Sequence, residues 1–412
     1  MSKINIIFYF LLIGNIGFAD VYNINPGKDA QERIQEAMIL AEPGDIIQLD
    51  EGVYSLSDGL SLAKSEVMVI GAGMQKTILD FSNQLSGAQG ILVSSNEVIL
   101  KDFAVINASG DAIKVIGVDG IYMINLRVEW TNGPATENGA YGFYPVQSKN
   151  VYIEGCIAIG ASDAGIYVGQ SENIIVKNNT AMFNVAGIEI ENSYYADVFG
   201  NVVTMNTGGI LVFDLPDLPQ QGGHHIRVYN NRSFDNNTDN FAPKGNIVAS
   251  VPRGTGMLIL ANSIIEVFNN EFYENDTVNL AIISYFQDTT DENYYPHPRS
   301  IYIHNNEFKS SGANPDIENN ELAKTLFQLA ENNMPDIFWD GLMPLEHLIF
   351  GQPDEERITL GKNGDATIIA LKPFAYYLPF FDPINQEYQD YYQDKELTIP
   401  KIEINLPEDR LN

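Results

Sequence analysis

The chain has 412 residues, with 54 Asp and Glu against 23 Lys and Arg, a formal charge of −31 and 45% hydrophobic residues. A surface this acidic repels polyanions, which excludes nucleic acid as a partner and means that any anionic substrate needs a local exception. The charged fraction of 19% together with so much apolar material excludes a disordered chain.

At the N-terminus Lys3 precedes an apolar run from Ile4 to Ile13, and Gly17-Phe18-Ala19 puts small residues three and one before a cut after Ala19. This predicts a signal peptide over residues 1–19 and export to the periplasm or the extracellular space. No later stretch holds about 18 consecutive apolar residues, so no membrane span is expected in the mature chain. The single cysteine, Cys156, lies in an apolar stretch and reads as a small core residue. Asp29 is placed to cap a helix in which Ala30, Ile34, Ala37, Met38 and Ala41 share a face, with Pro43-Gly44 ending it.

From there a five-residue phrase recurs, apolar at its first and third places and closing on Asn, Asp or Gly. Val98-Ile-Leu-Lys-Asp102, Val151-Tyr-Ile-Glu-Gly155, Ile174-Ile-Val-Lys-Asn178, Ile226-Arg-Val-Tyr-Asn230 and Ile301-Tyr-Ile-His-Asn305 are five examples. The base interval is 22 or 23 residues, lengthened where loops are inserted. Each phrase is followed by a second short alternating stretch and by a third that opens on a small residue, as at Gly165, Gly187, Gly209 and Gly256. Three short strands per repeat predict an all-β fold, a right-handed parallel β-helix over residues 20–314 capped by the N-terminal helix. Asn179, Asn201, Asn231, Asn270 and Asn306 hold equivalent places and are expected to stack as an internal ladder. Past Asn319 the period is lost. Residues 321 to 332 read as a helix, and residues 315–412, rich in aromatics such as Phe338, Trp339, Phe374, Tyr376, Tyr377, Phe380 and Phe381, read as an irregular C-terminal cap or a segment folding back along the coils.

Alternation on the third strand turns two rows outward. One runs through Lys114, Tyr144, Tyr167, Glu189, Leu211, Leu258 and Ala281; the other runs through Ile116, Val146, Gly169, Glu191, Phe213, Leu260 and Ile283. Long insertions at 131–140, 215–223, 236–253 and 287–299 flank this face, so a groove for an extended chain is expected. Tyr144, Tyr167 and Phe213 are candidate stacking platforms for sugar rings, with Lys114 and His225 as further substrate-binding candidates. Glu189 and Glu191, two apart on one strand and so roughly 7 Å apart on one face, read either as a solvated acidic patch or as a hydrolytic pair. With Asp214 they are the candidate calcium ligands, although the reading requires no cofactor. Tyr141, Tyr144 and Tyr167 are the phenolic acid and base candidates. His224 and His225, consecutive on a strand, are expected to point to opposite faces.

The coil pattern and the run from Ala140 to Val151 resemble the pectin-lyase-like β-helix proteins, nearest to the mannuronan C5-epimerase type. The resemblance covers roughly residues 25–310. That type carries Tyr-Gly-Phe-Asp-Pro-His, whose Asp and His face the uronate and work with an Asp on the next coil. This chain keeps Tyr141, Gly142, Phe143 and Pro145, but has Tyr144 for the Asp, Val146 for the His, and Gly169 or Gln170 for the second Asp. The runs 213–216, 222–225, 240–248 and 254–256 are similar to exported bacterial β-helix repeat proteins with no assigned reaction.

The expected function is therefore an exported, monomeric β-helix protein that binds a polysaccharide or oligosaccharide in a groove, with epimerase-type catalytic residues largely missing. Two alternatives stay open. One is a polysaccharide lyase, epimerase or glycoside hydrolase using the same groove. The other is an interaction scaffold presenting Leu211, Phe213, Leu258, Leu260 and Ile283 to a partner protein or to the aromatic tail.

Overall fold

A computed structural model describes residues 19–373, 382, 384–394, 399–407 and 410. The expected signal peptide, apart from Ala19, and the aromatics between 374 and 381 lie outside the described residues. The phrase strands form a first sheet of twelve strands, the short middle strands a second of ten, and the strands opening on small residues a third of twelve. Pairing is parallel throughout, except where Ile368–Leu371 meets Ile384–Asn385.

The repeat is visible in the register. Val151 stands opposite Ile174, Ile174 opposite Ala196, Ala196 opposite Ile226, and Ile226 opposite Ile265. All five are fully buried in one apolar core that runs the length of the coils. The closing place of the phrase has a structural cause: its backbone is left-handed, with φ between 51° and 60° at Asp102, Asn125, Asn178, Asn230, Asn269 and Asn305, and 65° and 67° at Gly155 and Gly200. Only Gly, Asn and Asp take that conformation at small cost, so the strand ends where one of them appears.

The next residue turns inward. Asn201 Nδ2 donates to Asn231 Oδ1 at 2.9 Å and to Val176 O at 2.9 Å, while its own backbone N–H donates to the same Oδ1 at 2.9 Å. The same pattern links all five expected ladder residues and goes on to Asn363. Cys156 holds the place before Asn179 and donates its backbone N–H to Asn179 Oδ1 at 2.8 Å, with burial pushing its thiol up to about 12. A second ladder, not anticipated, runs through Asn184, Asn206, Asn236 and Asn275 at the corner between the second and third sheets.

At the N-terminal end the helix Ala30–Leu40 buries Ala30, Ile34, Ala37 and Met38 on the mouth of the core. Asp29 precedes it without capping it: its carboxylate lies 3.2 Å from Arg33 instead. At the other end the helix Glu321–Leu329 is capped by Asn320, whose side chain accepts from the Ala323 N–H at 3.0 Å. The sheets run past residue 314, with Ile337–Trp339 and Ile368–Leu371 joining the third and Ile358–Leu360 the first. The stretch 399–407 then folds back along the first sheet. Ile402, Ile404 and Leu406 cover Ile99, Tyr122, Tyr152 and Ile175, and Arg410 donates to Glu66 O at 2.7 Å.

Candidate functional site

The outward rows of the third sheet pair in the expected order: Lys114 with Tyr144, Tyr167 with Glu189, Glu189 with Leu211, and Leu211 with Leu258. Only part of that face is open. Leu211, Phe213, Leu258, Leu260, Ala281 and Ile283 form a second apolar core, closed over by Val248 and Val251 of the 236–253 insertion, by Leu326 of the C-terminal helix and by Ala330 just after it. Phe213 is 1% exposed and offers no ring face to a sugar. The same burial corrects the partner-protein form of the scaffold reading, because the residues it would present are already covered by the chain's own segments; its other form, a bed for the aromatic tail, agrees with Phe338 being buried in the same core. The apolar content of the insertion, Phe241, Ile247, Val248 and Val251, was the signal for this.

Where the covering begins, three phenols meet a set of acids. The rings of Tyr141 and Tyr144 lie 4.3 Å apart, Tyr141 and Tyr167 4.7 Å, and Tyr144 and Tyr167 5.1 Å. Tyr167 Oη donates to Glu191 Oε1 at 2.7 Å, and Tyr141 Oη to Asp163 Oδ2 at 3.4 Å. Asn246, from the covering insertion, donates to the same Asp163 oxygen at 2.8 Å. Glu189 is 1% exposed, and its Oε2 has no hydrogen-bond partner. The two glutamates are thus not a solvated patch: they face outward from the solenoid but lie under other side chains.

This burial sets their protonation. It pushes Asp163 up to about 6 and Glu191 up to about 7, in each case against a hydrogen bond that favours the ionised form. Glu189 is raised well above the carboxylate range by burial first, then by Asp163 and Glu191. Asp111, one coil before Tyr141, is pushed up to about 6 by burial, with Lys114 opposing. The Tyr144 hydroxyl rises to about 12 through burial, then through Asp111, Glu191 and Asp163, and the Tyr141 and Tyr167 hydroxyls are also raised by burial. The cation at hand, Lys114, lies 3.9 Å from Asp111 and 4.6 Å from the centre of the Tyr144 ring. Near neutral pH such a site holds both proton donors and proton acceptors.

Lys114, Tyr141, Tyr144, Tyr167, Glu189 and Glu191 are therefore brought together; Phe213 adjoins them, opposite Glu191 on the next coil, but is covered, and His225 lies on another sheet. His225 is the second residue of the first-sheet strand His224–Tyr229, with its ring 4.9 Å from Tyr195. It also corrects the expectation for the histidine pair: His225 has φ of 58°, which breaks strand alternation, and the two imidazoles pack edge to face at 4.7 Å. Asp214 turns its Oδ1 to the Gly223 N–H at 2.8 Å. Among the described residues no three Asp, Glu, His or Cys side chains converge as the ligands of an ion would, Glu189, Glu191 and Asp214 included. Sequence reasoning missed Asp111 and Asp163, which stand at or just before the start of their strands and fall outside both outward rows.

A family model described as the right handed beta helix region matches residues 75–231. Among solved structures, the chain is similar to DFA-IIIase from Arthrobacter chlorophenolicus A6, at 13% identity over 84% of this chain and 100% of that one, with a TM-score of 0.50. It is also similar to the A-module of the Azotobacter vinelandii mannuronan C-5 epimerase AlgE6, at 14% identity over 85% and 87% of the two chains and a TM-score of 0.47. A family 28 exopolygalacturonase from Yersinia enterocolitica shares 14% identity over 85% of this chain and 73% of its own, at 0.45. None of the curated proteins compared matches the chain. With the strand order above, these findings make the chain a right-handed parallel β-helix, and the resemblance to pectin-lyase-like proteins holds at the level of the fold.

Proposed function

We propose that this right-handed β-helix is an exported, monomeric carbohydrate-binding protein, periplasmic or extracellular, that takes a glycan on the open part of its third sheet at Lys114, Tyr141, Tyr144 and the acids beside them. The observation that carries the reading is the meeting of three phenol rings with the buried carboxyls Asp163, Glu189 and Glu191, one of whose oxygens has no partner. Burying like-charged groups without a cation costs several kcal/mol, and the core of a solenoid does not require it. Hydroxyl-rich ligands offer both donors and acceptors, which suits a floor of protonated and ionised carboxyls beside aromatic rings.

One observation favours a second reading, glycoside hydrolysis. Asp111 and Glu191 both act electrostatically on the Tyr144 hydroxyl and are themselves pushed up to about 6 and about 7 by burial. In that reaction one carboxyl gives its proton to the departing glycosidic oxygen, while the other takes a proton from the water that attacks the anomeric carbon. Uronate epimerisation or lyase chemistry is less well served. It needs a positive group to hold the substrate carboxylate as the neighbouring proton leaves, and Lys114 is already shared with Asp111. Neither reading requires a cofactor, and calcium enters as a variable of the assay.

The test is a glycan array on the mature protein, followed by calorimetry and a turnover screen with and without calcium. Binding that Tyr144→Ala weakens supports the reading. Binding unaffected by Tyr144→Ala moves the site elsewhere, and reducing sugar released by the wild type but not by Glu191→Gln selects hydrolysis.

A further inference from the structure

We infer that the third-sheet face takes the end of a neutral glycan and not an internal stretch of an anionic one; this rests on the carbohydrate reading above. Along one outward row exposure falls steadily, from exposed Ser61 through half-buried Leu92, Lys114 and Tyr144 to buried Tyr167 and Glu189. Beyond Glu189 the row continues under the 236–253 insertion, so a chain lying along the solenoid axis runs into a wall. The wall is packed, not loose. Val248 and Val251 are buried, Asn240 Nδ2 holds both their carbonyls at 2.9 Å, and Asn246 is bonded to Asp163 at the wall's foot. Insertions enter at both edges of the sheet, 131–140 and 236–253 ahead of their strands and 215–223 after its strand, which directs an extended ligand along the axis and not across it.

Charge decides the ligand class. Asp111 is half-buried and Asp163, Glu189 and Glu191 are buried, and the cation among the site residues, Lys114, already lies 3.9 Å from Asp111 and 4.6 Å from the centre of the Tyr144 ring. A uronate would add a negative charge beside carboxyls whose own ionisation burial already opposes, whereas a neutral sugar adds only hydroxyls.

The experiment uses the wild-type mature chain and calorimetry at pH 8. The probes are cellohexaose, mannohexaose and maltohexaose, whose 1,4-linkages leave a free 4,6-diol only at the non-reducing end. Each is tested free, blocked at its reducing end with 2-aminobenzamide, or blocked at its non-reducing end with a benzylidene acetal. Hexamannuronate is the anionic arm. For whichever neutral probe binds, one blocked form is expected to lose at least about ten-fold in affinity, roughly 1.4 kcal/mol, while the other binds as the free sugar does. Hexamannuronate is expected to bind at least about ten-fold more weakly than that neutral probe. Equal binding of both blocked forms means that a chain passes through, and overturns the inference while leaving the carbohydrate reading in place. Equal or tighter binding of hexamannuronate overturns the neutral class. Binding by none of the probes removes the carbohydrate reading and the inference with it.

Discussion

Tyr167 reaches Glu191 by leaning over Gly169: its hydroxyl donates to Oε1 at 2.7 Å, and a Cβ built on Gly169 would stand 2.1 Å from that hydroxyl. The glycine is therefore what lets a ring on one coil lie down onto a carboxyl of the next. In the epimerase-type pattern this place, or the one after it, carries a carboxylate, and here a phenol from the same strand fills the space. Gly169→Ala is expected to push the Tyr167 ring aside, break the bond to Glu191 and destabilise the fold by about 1 to 3 kcal/mol. A thermal melt of the variant checks this, and an unchanged midpoint argues against the overlap.

The acids make stability depend on pH in a defined direction. Asp163 and Glu191 ionise in the unfolded chain near their ordinary values of 3.8 and 4.5, and in the folded chain near about 6 and about 7. Between those limits the folded state binds more protons, so their contribution to stability falls as pH rises from about 4 to about 7 and is flat outside that window. Glu189, also raised, adds to the same trend. Denaturant midpoints measured from pH 4 to pH 8 are expected to show a wild-type decline that is shallower in Glu191→Gln and in Glu189→Gln. A steeper decline in either variant contradicts the assignment.

Much of the fold could be read from the chain because its constraints repeat. A left-handed backbone at the end of each phrase demands Gly, Asn or Asp, and Asn125, Asn178 and Asn230 answer that demand at each turn. The second ladder follows the same arithmetic, since Asn184, Asn206, Asn236 and Asn275 are spaced as Asn179, Asn201, Asn231 and Asn270 are. Periodicity alone does not mark it, because the strands before it have three residues, too few to show alternation. The site was legible only in part. The outward rows placed Lys114, Tyr144, Tyr167, Glu189 and Glu191 side by side, but alternation tells which way a residue points, not what lies above it. What covers Phe213 comes from an insertion and from a helix more than a hundred residues further on, and no periodicity links them.

The ladder gives an independent test of register. Asn201 is fully buried, and its amide donates to Asn231 and Val176 while its oxygen accepts from Asn179. Asn201→Leu removes those partners and strands polar groups above and below, at an expected cost of about 1 to 3 kcal/mol. A Leu at exposed Ser61 is the control and should be near neutral. Equal shifts in the two variants in calorimetric melts contradict the inward placement of Asn201.

The last prediction concerns the two places where the epimerase-type pattern is broken. Tyr144→Asp with Val146→His restores its letters, yet the double variant is expected to leave polymannuronate unepimerised, read by the anomeric signals of the polymer at pH 5, 7 and 8 with and without calcium. Tyr144→Asp would add a carboxyl beside Asp111, Asp163 and Glu191, groups that burial already pushes up to about 6 or 7, and would remove the ring on which the Lys114 ammonium rests. Val146 is itself buried, so a histidine there has to be accommodated under its neighbours before it can meet a substrate. Acid, base and charge-holding group act as a unit in such chemistry, and returning some of them without the cation returns little of the rate. Guluronate residues formed by the double variant would show that the site already holds the missing cation function and would move lyase or epimerase chemistry ahead of hydrolysis.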